Sequence, residues 1–137
     1  EMNTITLDLA NKLDGLGVGT VGTDIIIGPD RSVDQTSIFI TQTGGDANPK
    51  WLRDDTTIQF RIKTLRNQYA QGESKGQEIK DALLGLAPFT VDGVTYARFV
   101  ILSDLQYVGQ DENRQQIFSI NFIVTRDYDS GGNRQQI

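Results

Sequence analysis

In the strand-like segment Thr57–Leu65 the chain alternates from Thr57 to Lys63: Ile58, Phe60 and Ile62 are apolar, while Thr57, Gln59, Arg61 and Lys63 are polar. Successive side chains of a strand point to opposite faces, so this pattern suits a sheet with one buried and one polar face. The same period returns in Gln116–Arg126, with Phe118, Ile120, Phe122 and Val124 on one side and Ser119, Asn121 and Thr125 on the other. A sheet with one apolar face needs a second layer over it.

Two segments have the spacing to supply that layer. Ile5, Leu9, Leu13 and Leu16 recur at intervals of four, four and three, the stripe of an amphipathic helix over 4–16. Asn3 or Thr4 would cap it, and Gly15 or Gly17 would end it. Downstream, Ile79, Ala82, Leu83 and Leu86 form a second stripe, with Ser74 and Gln77 spaced as a capping box. Tyr69-Ala70 could extend this helix backwards, but only across Gly72 and Gly76. Each glycine costs roughly 1 kcal/mol inside a helix, so the sequence predicts the later start. Pro88 ends it.

Shorter strands fill the remainder. Gly15-Leu-Gly17-Val-Gly19-Thr-Val-Gly22 reads as a flexible link into the strand Asp24–Ile27, which Gly28-Pro29-Asp30 breaks. Ser37–Thr43 is a strand stopped by Gly44-Gly45-Asp46 and Pro49. Phe89–Val91 and Val94–Tyr96 flank Asp92-Gly93, a strong hairpin signal, and the second arm runs on through Phe99 and Ile101. Gly109–Gln115 is a polar loop, and residues from about 128 to 137 read as a mobile tail. The expectation is one domain over 1–137, an α+β two-layer fold: a mainly antiparallel or mixed twisted sheet with two helices packed on one face.

Composition restricts the chemistry. Histidine and cysteine are both absent, which removes the commonest general base, thiolate nucleophiles, disulfides and the usual zinc ligands. The formal charge of −5 argues against a dedicated nucleic-acid binder, and the cations are dispersed apart from Arg61, Lys63 and Arg66. No apolar run approaches the roughly 20 residues that span a bilayer, and no leader precedes the first polar turn, so the expectation is a soluble chain.

Four features could carry a function. Gly17-x-Gly19-x-x-Gly22 matches the letters of a dinucleotide fingerprint, but it follows a helix and precedes a strand, the reverse of the order that places a pyrophosphate on a helix N-terminus. The pairs Asp54-Asp55, Asp111-Glu112 and Asp127 with Asp129 lie at strand ends, where solvated carboxylates are ordinary; a two-metal site would need three or four of them to converge. Trp51, with Leu52 and Arg53 in the loop Asn48–Arg53, is either a lid on its own sheet edge or an anchor at a subunit contact. Arg61, Lys63 and Arg66, on the polar side of a strand and its exit, mark a solvated sheet face, a polar subunit interface or a surface turned to DNA. No cofactor and no metal is expected.

Several segments together resemble the tail terminator and minor capsid proteins of tailed bacteriophages. They are the opening helix ending in glycines, Ile38-Phe-Ile-Thr-Gln-Thr-Gly-Gly45, Ile58-Gln-Phe-Arg-Ile-Lys63, and Ile79 with Leu83-Leu-Gly-Leu86. To these add Leu105-Gln-Tyr-Val-Gly-Gln-Asp-Glu-Asn-Arg114 leading into Ile117-Phe-Ser-Ile-Asn-Phe-Ile-Val124. The resemblance implies a non-catalytic virion subunit, assembled in the host cytoplasm, that forms a homo-oligomeric, hexameric ring. Such a ring caps the head-proximal end of the tail tube, fixes tail length, meets tail tube and neck or head completion proteins, and lets DNA pass without sequence-specific binding. Trp51, Leu52, Arg53, Arg61 and Lys63 are then the candidate subunit interface. Another head–tail connector is the nearest alternative; a carboxylate-dependent phosphodiesterase or a monomeric binding module is the alternative from another class.

Overall fold

The computed structural model describes residues 4–29, 31, 33–47, 53–91 and 93–128, and structural statements below concern these. Eight elements follow in order: α1 (Ile5–Gly15), β1 (Ile25–Ile27), β2 (Ser37–Ala47), β3 (Arg53–Thr64), α2 (Tyr69–Leu84), β4 (Phe89–Val91), β5 (Val94–Gln110) and β6 (Gln116–Tyr128). The strands form one six-stranded sheet in the order β1-β2-β3-β6-β5-β4. β1 runs parallel to β2, and every other pairing is antiparallel. The fold is α+β with a mixed sheet, as the alternating segments require.

α1 shows why its ends fall where they do. The Thr4 hydroxyl accepts a hydrogen bond from the Leu7 amide at 3.3 Å, satisfying one of the donors a helix start leaves open. At the other end Gly17 takes φ +83°, its amide donates to Asp14 O at 3.0 Å, and the Val18 amide donates to Leu13 O at 3.0 Å. That is a Schellman closure, in which glycine adopts the left-handed conformation without steric cost. Ile5, Leu9 and Leu13 are buried on the expected stripe; Leu16, at the C-cap, is exposed instead.

α2 corrects the sequence reading. It begins at Tyr69, not near Ser74, and runs through both glycines. The reason is close packing. A Cβ on Gly72 would lie 2.6 Å from Phe118 Cε1 and 2.9 Å from Thr64 Cγ2, and one on Gly76 would lie 2.5 Å from Leu105 Cδ1. Both glycines are buried, so the weak helix propensity is offset by a close approach to the sheet, tightest at Gly72, where the neighbours Phe118 and Thr64 are themselves buried. Ile79 and Leu83 then bury the stripe, with Ala82 and Leu86 packed beside them.

The strands are longer than their apolar alternation. β2 passes through Gly44-Gly45, and Thr43 is an extra residue between the pairs Gln42–Ile58 and Gly44–Thr57. β3 starts at Arg53, which pairs with Asp127 of β6, and from Asp54 on it is paired on both sides, with β2 and with β6, so backbone pairing carries the polar Arg53-Asp-Asp55 into the sheet despite poor strand propensity. β5 spends 17 residues opposite the 13 of β6, and the surplus appears as four register shifts. Each such bulge bends and twists its strand, and the sheet curls into a half-barrel.

The curl corrects a second expectation. The face carrying Ile58, Phe60, Ile62, Phe118, Ile120 and Phe122 is fully buried beneath the helices, with Phe60 and Phe122 in edge-to-face contact at 5.8 Å. Yet Phe39, Lys63, Ser119 and Thr125, which alternate with that set, are also buried. Gln59, Arg61 and Asn121 on that face are half-buried and Ser103 is exposed, so the second face is only partly open to solvent.

Candidate functional site

No pocket or carboxylate cluster dominates the described surface; its two sheet edges do. β1 pairs only with Ile38–Ile40, so β2 has no outer partner from Thr41 to Ala47 among the described residues. β4 pairs only with Val94–Tyr96, which leaves β5 without one from Ala97 to Gln110 among the described residues. Unpaired strand edges present open amide and carbonyl groups and are templates for pairing with another chain. The β5 edge is also apolar: Val100, Leu102 and Val108 are 39%, 53% and 48% exposed, and Tyr107 is half in solvent beside Tyr69 and Phe118. Leu102 and Val108 fall at register shifts, where a bulge turns an extra side chain out of the alternation.

The sequence signal for this edge was the unbroken apolar run Phe99–Leu102. Phe99 and Ile101 pack against the core, while Val100 and Leu102 do not, so the run serves both sides of an edge strand.

Lys63, on the polar side of β3, is 4% exposed, and its ammonium lies 2.7 Å from Asp111 Oδ2. That hydrogen bond is the main reason the Asp111 carboxyl sits below the usual carboxylate range; amides of Gln115 and Asn113 at 2.9 Å add to it. The pair ties the end of β3 to the turn before β6. Gln115 extends the tie by donating to Val33 O at 2.6 Å and accepting from the Val33 amide at 3.1 Å.

Arg61 is half-buried on the same face as Lys63, in register between Phe39 and Ser119. Arg53 lies in β3 opposite Asp127. Trp51 and Leu52 lie outside the described residues, as does Asp129. The structure thus brings Arg61 and Lys63 onto one face and places Arg53 at the far end of their strand.

The acidic pairs separate. Asp54, Asp55 and Asp127 sit at the end of the sheet where β3 begins, with Asp55 accepting from the Thr125 hydroxyl at 2.6 Å; Asp111 is at the other end. Among the described residues no three acidic side chains gather as a metal site would need. No described helix is long and apolar enough to cross a membrane. The glycines of the fingerprint-like segment close α1 and lead to β1, so they present no phosphate-binding turn.

A buried polar contact that the alternation did not reveal joins α1 to the sheet. Tyr96 donates its hydroxyl proton to Asp8 Oδ2 at 2.5 Å, with Asp8 only 6% exposed. Burial, then the Asp8 carboxylate, push the Tyr96 phenol well above its ordinary range. Its ring stacks on Phe89 at 4.9 Å, over which Lys12 holds its ammonium.

A family model described as bacteriophage tail terminator protein matches residues 12–128. Among solved structures, a chain from the virion of a native gene transfer agent particle has a similar fold, with a TM-score of 0.56 at 11% identity, covering 91% of this chain and 86% of that one. No curated protein sequence matches the chain.

Proposed function

The chain belongs to the bacteriophage tail terminator family, and from that premise we propose that it is the ring-forming subunit that caps the head-proximal end of the tail tube. In this role it fixes tail length and offers its outer surface to the neck. The observation that carries the reading is the family match over nearly the whole domain, residues 12–128. The edges of β2 and β5, open among the described residues, fit it, because a sheet with an open edge on each side can be completed by copies of itself.

The ring is hexameric in this reading, its partners are the tail tube protein and the neck or head completion proteins, and DNA passes through without sequence readout. Trp51 and Leu52, which lie in sequence between β2 and β3, serve as the apolar anchor of the contact, with Arg53 at the start of β3 and Arg61 in support. The test is a virus lacking the gene, complemented in trans. Tails of irregular or excessive length without the protein, corrected by the wild-type chain, support termination. Tails of normal length that fail only to join heads would assign it to head completion instead.

A further inference from the structure

The two open edges match each other. Across the sheet, Thr41, Gln59, Asn121 and Ser103 share one row, and Asp46, Asp55, Thr125 and Arg98 share another. Between these rows the inner strands advance from Gln59 to Asp55 and from Asn121 to Thr125, four steps each. The outer strands advance from Thr41 to Asp46 and from Arg98 to Ser103, five steps each. Each edge holds one residue more than the interior, through the irregularity at Thr43 in β2 and that at Leu102 in β5. A bulge normally spoils an edge for further pairing. Two edges with the same surplus over the same rows remain in step with each other.

Direction and charge agree. β2 is antiparallel to β3, β3 to β6 and β6 to β5, so β2 and β5 run in opposite directions. Copies placed side by side with a common orientation bring β5 of one against β2 of the next as an antiparallel pair, the geometry of a head-to-tail contact that closes into a ring. In this register the exposed Arg98 of one copy stands opposite Asp46 of the next, and Ser103 opposite Thr41.

We propose that a second copy of this chain completes the sheet, residues 41–47 of one subunit pairing antiparallel with residues 97–103 of its neighbour, with Arg98 in register with Asp46. The proposal rests on the ring reading above and specifies its contact. The apolar Val100 and Leu102, exposed in the single chain, are then covered by the neighbour's strand.

Because the chain has no cysteine, the test is clean. Thr41→Cys combined with Ser103→Cys, assembled on tail tubes and oxidised, is expected to give a ladder of covalent multimers, while each single variant gives none. Arg98→Asp places like charges together and is expected to weaken each contact by about fivefold, compounded around a ring; adding Asp46→Arg restores assembly. Rings that assemble yet give no ladder, and tolerate Arg98→Asp unchanged, overturn the edge pairing and leave the ring standing. Wild-type protein bound to tubes without forming any ring overturns both. A ladder that forms with monomer alone, at equal yield without tubes, supports the pairing as an intrinsic property of the chain.

Discussion

Replacing Gly72 by alanine sets two effects of opposite sign against each other. In an exposed helix interior the change adds about 1 kcal/mol of stability, since glycine pays more backbone entropy than alanine. Here the new methyl would stand 2.6 Å from Phe118 Cε1, 3.0 Å from Phe118 Cδ1 and 2.9 Å from Thr64 Cγ2. Neither neighbour can withdraw cheaply. Phe118 is 1% exposed and its ring contacts both Tyr69, at 4.9 Å, and Tyr107, at 5.4 Å, while Thr64 is fully buried within β3. Overpacking of this kind costs about 2–3 kcal/mol, the upper part of the usual range, leaving a net loss of about 1–2 kcal/mol. For a domain of this size that lowers Tm by roughly 3–6 °C.

Gly76→Ala is the internal control. Its methyl would meet the tip of Leu105, a half-buried side chain that can rotate away, so the two effects nearly cancel and Tm should change by no more than about 2 °C. Thermal melts followed by circular dichroism decide it. A rise of several degrees for Gly72→Ala would refute the reasoning, because the glycine would then be an ordinary helix defect rather than a packing requirement.

Three further outcomes follow from buried contacts. Phe60→Ala, which empties the centre of the core against Phe122, should destabilise by about 3–5 kcal/mol in urea titration; a loss under about 1 kcal/mol would mean that the ring is not central. Tyr96→Phe removes the only hydrogen bond described for the Asp8 carboxylate and should cost about 1–3 kcal/mol, while combining it with Asp8→Leu, so that both partners are apolar, should recover much of the loss. The Asp111 carboxyl titrates below its ordinary value when folded, so its contribution is complete above the ordinary carboxylate pKa and is lost as pH falls through the lowered one. The stability gap between wild type and Asp111→Asn should accordingly be constant near neutrality and shrink below about pH 4; a gap that widened on acidification would contradict the Lys63 pairing.

The alternating strands and the apolar helix stripes were legible because burial there is decided by period alone. Ile58, Phe60, Ile62 and the Phe118–Val124 set lie on the face their spacing predicts. What the sequence did not disclose depends on partners distant in the chain. The start of α2 is set by Phe118 and Leu105, which make glycine the fitting residue at 72 and 76. Lys63 reads as a surface cation until the curl of the sheet and the turn at Asp111 enclose it. Asp8 reads as the polar side of α1 until Tyr96, 88 positions away, claims its carboxylate. β5 hides its length because its bulges break the period by which strands are recognised. The edge it forms, the proposed site of assembly, is visible only as an apolar run too continuous for a single face.

The central claim is that this protein sits as a ring at the top of the tail tube. Imaging of purified virions by electron cryomicroscopy, with an antibody fragment raised against this chain as a marker, locates it directly. The account predicts label in a ring at the junction of tail tube and neck, at the head-proximal end and nowhere else. Label along the tube or at the distal tip would contradict it.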